Sequence, residues 1–283
     1  MNKIGIVVCT NSGADYYTFD HPVEVIHSSL HIDNKEYEDF VDIKAEEFYD
    51  ILAKNPNVDL KTSQPPMGQI IGKYEKLRDM GYNNILVITI STKLSGIYQS
   101  TILAAEMVEG ITVRVIDSKS VSYGELYLVL EAIKYIKAGD DLETVATKIE
   151  ALIPNINILV YVDTVKFMVK NGRLSSTAGA LASLLKIKPI LRMNQEDGSL
   201  VAYEKIRTSK KALNRLYELF EEETKDKDIV AFVVYTNNKE FAKEVRQHLL
   251  TIKPGIQIEL VPLTPVVGAH AGPGTLGVGY VLL

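Results

Sequence analysis

The chain has 283 residues, 46% of them hydrophobic and 24% charged, with a formal net charge of −5. This is enough for one large or two ordinary domains with sizeable cores, and the acidic balance argues against a nucleic-acid-binding protein, which carries a basic face. No stretch approaches the roughly 18 apolar residues of a membrane span, no cleavage signal follows the early run Ile4 to Cys9, and a single cysteine, Cys9, excludes an internal disulfide; a soluble, cytoplasmic protein is expected.

Ile4–Val8 reads as a first strand, closed by Cys9-Thr10-Asn11-Ser12-Gly13-Ala14-Asp15. Such a polar turn is either a plain connection or the kind that lines ligand sites in α/β proteins. Val23–Ile26 and Ser29–Ile32 follow as strands, Asp33-Asn34-Lys35 as a hairpin turn, and Ala45–Ala53 as a helix after Asp42. Pro65 and Pro66 hold the chain before them extended, so a helix starts near Pro66 and runs to Met80, with Thr62 and Ser63 just ahead of it. The unbroken apolar run Ile85–Ile90 is a strand buried on both faces of a parallel sheet. Beyond it Ser91, Thr92 and Ser95 crowd a turn, and Ile97, Thr101, Ala105 and Val108 recur at helical spacing, so a helix begins near Leu94. Hydroxyls beside the free N–H groups of a first helical turn suit a carboxylate or phosphate; an ordinary Ser cap is the alternative. Thr112–Ile116 is a further strand, Ser122–Lys137 a helix, and Asp140-Asp141 caps another helix that ends before Pro154.

Strands alternating with helices imply a parallel sheet whose hydroxyl-rich turns share one edge. From Asn157 the pattern changes. Ile158–Val162, Lys188–Met193, Leu200–Ile206, Ile229–Tyr235, Gln257–Pro262 and Leu276–Leu282 read as six strands, with helices near Ala178–Leu185, Lys210–Glu223 and Lys239–Leu250. No Pro/Gly/Ser linker separates the halves, so a second domain packed against the first is expected.

Charge is uneven: the first 150 residues carry a net −9 and the remainder +4. Lys166, Lys170, Arg173, Lys186, Lys188, Arg192, Lys205, Arg207, Lys210, Lys211 and Arg215 form a basic run, either a solvated face or a dock for an acidic partner. Gly272, Gly274 and Gly277 fit G-x-G-x-x-G, but the chain leaves no room after them for the helix, strand and acid of a dinucleotide site. Alone among the histidines, His270 lies in this Gly/Pro stretch, and without a second His/Cys/Asp set beside it a metal site is not expected.

Taken in order, Thr62-Ser63-Gln64-Pro65, Lys93-Leu94-Ser95-Gly96-Ile97-Tyr98-Gln99-Ser100, Ile116-Asp117-Ser118, Asn171-Gly172-Arg173-Leu174-Ser175-Ser176, Lys188-Pro189-Ile190-Leu191 and His270 through Gly279 resemble the DegV family of bacterial fatty-acid-binding proteins over essentially the whole chain. The resemblance implies an α/β fold of two packed domains. Residues 1–155 would form a parallel-sheet domain with hydroxyl-rich head-group loops, and 156–283 a six-stranded mixed-sheet domain covering the acyl chain. By the same resemblance Thr62 and Ser95 hold the carboxylate of a long-chain fatty acid, His270 stands beside it, Arg173 lies near the mouth, and Ser63 and Gly96 complete the ligand-binding set. No catalytic residue, metal or cofactor is implied. The expected partner is a separate fatty acid kinase catalytic protein, which phosphorylates the carboxylate to an acyl phosphate for phospholipid synthesis; Arg207 and Arg173 are its docking candidates, and transient contact with a membrane surface is allowed.

Two departures stand out: Thr10-Asn11-Ser12 replaces the family's usual Thr-Asp-Ser, and Ser95-Gly96-Ile97 replaces Ser-Gly-Thr. The small residues Ala178, Gly179, Ala180, Ala182 and Ser183 either leave room for an acyl chain or allow close helix packing. A rival reading makes Ser95 the nucleophile and His270 the base of a lipid hydrolase or acyltransferase, though the chain lacks G-x-S-x-G and an identified orienting acid.

Overall fold

The computed structural model describes residues 3–55, 58–175, 183–184 and 187–283. In chain order the elements begin β1 (Ile4–Cys9), β2 (Val23–Ile26), β3 (Ser29–Ile32), β4 (Lys35–Glu38), α1 (Ala45–Lys54), β5 (Leu60–Ser63), α2 (Met67–Asp79), β6 (Asn84–Thr89), α3 (Ile97–Ala105), β7 (Thr112–Asp117), α4 (Tyr123–Ala138) and α5 (Leu142–Leu152). They continue β8 (Ile156–Tyr161), α6 (Lys166–Lys170), β9 (Ile190–Met193), β10 (Leu200–Glu204), α7 (Ser209–Thr224), β11 (Ile229–Tyr235), α8 (Lys239–Ile252), β12 (Ile258–Pro262), α9 (Pro265–Ala271) and β13 (Leu276–Leu282).

Three sheets result. The first, in order β2-β1-β6-β7, is parallel throughout. Its central strands are apolar on both faces because both are covered. Val7, Ile85 and Val87 pack with Ile70, Tyr74 and Leu77 of α2 and Ala104 of α3, while Ile4, Ile6, Leu86 and Ile88 face Leu126, Val129 and Ile133 of α4 and Val145 and Ile149 of α5. The second sheet, β10-β9-β8-β13-β11-β12, is mixed: only β11 and β12 run parallel. Its outer face, with Leu159, Val233 and Val278, packs on Ala212 and Leu216 of α7 and Val245 of α8. Its inner face shares one core with the first sheet: Ile158, Val160, Phe232 and Val281 meet α4, where the Tyr123 and Phe232 rings lie 4.9 Å apart. Nine residues of α4 are buried, among them the whole first turn and a half, as expected of a helix with protein on nearly every side.

The third sheet, β4-β3-β5, is antiparallel and small. The hairpin at Asp33 was legible, but β4 and β5 were not: Lys35-Glu36-Tyr37-Glu38 shows no apolar alternation, and β5 is a four-residue strand read as a loop. Helix α9 was missed for a like reason, since Pro265-Val266-Val267-Gly268-Ala269-His270-Ala271 is short and contains a glycine. That glycine lets α9 lie close on α1, because a Cβ at Gly268 would collide with Tyr49 and Phe48; Tyr49 Oη fixes the contact by donating to Leu263 O at 3.1 Å. Strand β8 begins two residues earlier than expected, and α3 begins at Ile97 rather than near Leu94. Asp141 does cap α5, accepting from Thr144 N–H at 2.8 Å. The helix expected over Ala178–Leu185 lies outside the described residues apart from Ser183 and Leu184.

Asp39 ties these units together. It is fully buried, accepts from Thr10 Oγ1 after β1 at 3.1 Å and from Val266 N–H in the first turn of α9 at 3.3 Å. Burial pushes its carboxyl up to about 7, against the lowering effect of both hydrogen bonds and of nearby His27. The folded protein thus holds this proton more tightly than the unfolded chain, so the stabilisation is whole below about pH 4 and is lost as pH rises towards 7. Asp39→Asn keeps an acceptor and removes the titration. Thermal unfolding between pH 4.5 and 7.5 is expected to show wild type losing, relative to D39N, on the order of 3 kcal/mol across the window; parallel curves would exclude this role.

Candidate functional site

A cavity of about 370 Å³ lies between the first sheet's strand ends and the inner face of the second. Asn11, Ile90, Leu94, Ser95, Gly96, Val121 and Ser122 come from turns that follow β1, β6 and β7, which is where a parallel sheet presents its ligand groups. Strand β5 contributes Thr62 and Ser63; Ile158, Val160, Met193, Leu200 and Val234 form an apolar wall; Met168, Arg173, Val266, Val267 and His270 come from α6, the turn after it, and α9.

Four sequence-predicted residues converge. Thr62 Oγ1 and His270 Nε2 are hydrogen-bonded at 2.8 Å across 208 positions of sequence. Arg173 Nε donates to Leu94 O at 3.2 Å, beside Ser95, and its Nη1 donates to Asn171 O at 2.6 Å. Among the described residues no carboxylate pairs with this guanidinium, and its charge reaches His270. Burial first, then Arg173, holds the His270 imidazole down to about 4. The ring is therefore neutral near pH 7, and its Nδ1 is buried without a partner among the described residues. Ser95 Oγ accepts from Ile97 N–H at 3.4 Å, which leaves its own O–H to donate. Neither Gly96 N–H nor Tyr98 N–H has an acceptor among the described residues. The group offers hydroxyl and N–H donors plus one cation, a set suited to a single carboxylate.

The remaining predictions fall differently. Alternation along β5 turns Ser63 from Thr62's face, and its Oγ bonds His31 Nε2 at 3.1 Å. Gly96 serves packing: a Cβ there would meet Gln64 Nε2 at 2.5 Å, and Gln64 Oε1 accepts from Ser100 Oγ at 2.6 Å, locking β5's end over α3. Thr62 and Ser63 sit on a strand, not at a helix start, and His270 occupies the last turn of a helix, not a Gly/Pro loop. The glycines behind it serve close approach. Gly272 and Gly274 hold φ +78° and +75°, and a Cβ on either would strike Phe167 or Asp163. No Ser95–His270 hydrogen bond forms: His270 Nε2 is engaged by Thr62, and Nδ1 has no partner among the described residues. Arg207 is exposed and does not line the cavity. Part of its basic run is neutralised: Lys170 pairs with Asp59, Lys188 with Asp163, Arg192 with Glu223, and Arg215 with Glu204, Glu218 and Glu222.

Asn11 stood out in the sequence as part of a polar turn and as the residue that replaces the family's usual aspartate. Its Nδ2 donates to Glu125 Oε2 at 2.5 Å, and burial holds that carboxyl well above the usual carboxylate range, against the lowering effect of that hydrogen bond. An aspartate at 11 would set a second acid against it; the amide is what this site accommodates. Met168 and Met193 gave no sequence signal, because their place on the cavity wall depends on tertiary packing alone.

The model of a family described as "Uncharacterised protein, DegV family" matches residues 3–283. The chain is 34% identical over 267 residues to the DegV domain-containing protein spr1415 of Streptococcus pneumoniae, covering 94% of this chain and 92% of that one. It is 36% identical over 251 residues to the DegV domain-containing protein SA0704 of Staphylococcus aureus, covering 88% and 86%. Among solved structures, the fatty acid binding DegV family protein SAG1342 of Streptococcus agalactiae superposes with a TM-score of 0.89 at 29% identity over 99% of both chains. DegV of Bacillus subtilis, a fatty acid binding protein, gives 0.89 at 28% identity over the whole of both.

His270 generates a direct test. Its depressed value means that the stability it contributes is whole above about pH 6.5 and is lost as pH falls towards 4. An NMR titration of the ring should show no protonation until about pH 4. In Arg173→Leu the midpoint should rise while staying below 6.5, since burial, the larger cause, remains. A midpoint near 6.5 in wild type would contradict this placement of the ring.

Proposed function

Because the chain belongs to the DegV family, we propose that it binds a long-chain fatty acid in this cavity and presents the carboxylate to a separate kinase for conversion to an acyl phosphate. The observation that carries the reading is the convergence of Thr62, Ser95, neutral His270 and Arg173, which has no carboxylate partner among the described residues, on a cavity with an apolar wall. About fifteen methylenes at roughly 0.8 kcal/mol each offer on the order of 12 kcal/mol of gross transfer energy, so the tail supplies affinity. The carboxylate loses hydration on burial, and the hydroxyls, N–H groups and guanidinium replace it, so the head supplies orientation. A neutral imidazole adds a hydrogen-bonding group there without a second charge.

In this reading residues 1–155 bring Thr62 and Ser95, and 156–283 bring Arg173 and His270, so the head group is held across both halves. The protein acts as a cytoplasmic carrier with no nucleotide site of its own; the kinase holds ATP. Exposed Arg207, with Lys210 and Lys211, steers an acidic kinase surface, and Arg173 counters charge on the phosphorylated head group.

Native mass spectrometry of protein purified from a bacterial host is expected to show a long-chain fatty acid in about equimolar amount. No acid on extraction, and no uptake of added acid, would overturn the carrier reading. Thr62→Val and Ser95→Ala should each weaken retention by roughly 1–3 kcal/mol, as a buried carboxylate loses a hydrogen bond. Arg207→Glu should spare binding and selectively lower kinase-dependent acyl-phosphate formation, most severely at low salt, where the steering is least screened; parallel loss of both, or of neither, rejects that surface as the docking site.

A further inference from the structure

Asn11 and Ser122 bring a second set of polar atoms to the cavity, two of which find no partner among the described residues. Asn11 follows β1 and Ser122 follows β7, the strands on either side of β6, whose turn carries Ser95. Adjacent strands lie about 4.8 Å apart, so this second set stands beside the carboxylate group, not at the far end of the chain. With Asn11 Nδ2 committed to Glu125, its Oδ1 is left as an acceptor with no donor among the described residues. Ser122 is 3% exposed, lines the cavity, and its Oγ likewise has no partner among them. It holds φ 56° and ψ −135°, a conformation costly for any residue with a Cβ, while its carbonyl accepts from Glu125 and Leu126 N–H to start α4. Behind the pair, Glu125 Oε1 is buried and has no hydrogen-bond partner among the described residues.

We propose that Asn11 and Ser122 receive a hydroxyl borne on one of the first carbons of the acyl chain, making a 2- or 3-hydroxy long-chain fatty acid the preferred ligand. This rests on the fatty-acid reading above. A plain chain sets methylenes against a buried amide oxygen and a buried hydroxyl, which leaves polar groups unpaired in an apolar wall. One chain hydroxyl satisfies both, donating to Asn11 Oδ1 and accepting from Ser122 Oγ–H. The carboxylate itself does not suit this place, because Asn11 offers it an acceptor where the Thr62, Ser95 and Arg173 group offers donors.

The test titrates delipidated full-length protein with stearic, 2-hydroxystearic, 3-hydroxystearic and 12-hydroxystearic acids, each competing against a fluorescent fatty acid. One of the two near-carboxyl hydroxy acids should bind about 3- to 10-fold more tightly than stearic acid, and the 12-hydroxy acid more weakly, since its hydroxyl meets an apolar wall. In Ser122→Ala and Ser122→Gly that preference should fall to about one. The alanine keeps the strained backbone and the glycine relaxes it, so agreement between them assigns the effect to the hydroxyl. Near-carboxyl hydroxy acids that bind no better than stearic acid, or a preference unchanged in both variants, would overturn the inference and leave the carrier reading standing. Failure of every acid to bind would overturn both.

Discussion

Burial of α4 on nearly every side is the constraint on which the molecule depends. A helix packed between two sheets cannot release either without exposing apolar surface, at about 25 cal/mol for each Å² returned to water. The absence of a linker between the halves follows from this. Residues 1–155 and 156–283 differ in strand pattern, yet Ile6, Leu128, Ile158 and Phe232 belong to one continuous core. The same helix sets the cavity's polar wall, because its start places Ser122 at the surface of the cavity and Glu125 behind Asn11.

The cavity's chemistry turns on which polar groups are satisfied internally and which are left for a ligand. Thr62 and His270 engage each other, yet the imidazole stays neutral and Arg173 lacks an acid partner among the described residues. Positive charge is therefore concentrated on one guanidinium, itself steadied by two carbonyls. A protonated His270 beside it would place two cations in a buried space, and burial prevents this.

Much of this was legible in the sequence. Long apolar runs such as Ile85–Ile90 announce buried strands by composition alone, and Asp141 announces its helix by capping chemistry. Motif order pointed to Thr62, Ser95, Arg173 and His270 together, a set that no periodicity connects. Periodicity fails where elements are too short to show it, as in β4, β5 and α9, whose existence rests on tertiary contacts. The local setting of Ser63 and Gly96 was likewise hidden: one depends on strand alternation in an unrecognised strand, the other on the approach of Gln64 from a different sheet. The basic run looked like one surface in the sequence, but folding brings Asp59, Glu204 and Glu223 to it.

Strand β13 follows every other element in the chain yet lies at the middle of its sheet, hydrogen-bonded to β8 on one side and β11 on the other. During synthesis those two strands emerge first and face an open slot, each with an unpaired edge of N–H and C=O groups. His270, just ahead of β13, emerges almost as late. A ribosome-bound chain therefore cannot close the cavity until β13 has slotted between β8 and β11. Until then the exposed strand edges of β8 and β11 are the surfaces that a chaperone would have most reason to shield.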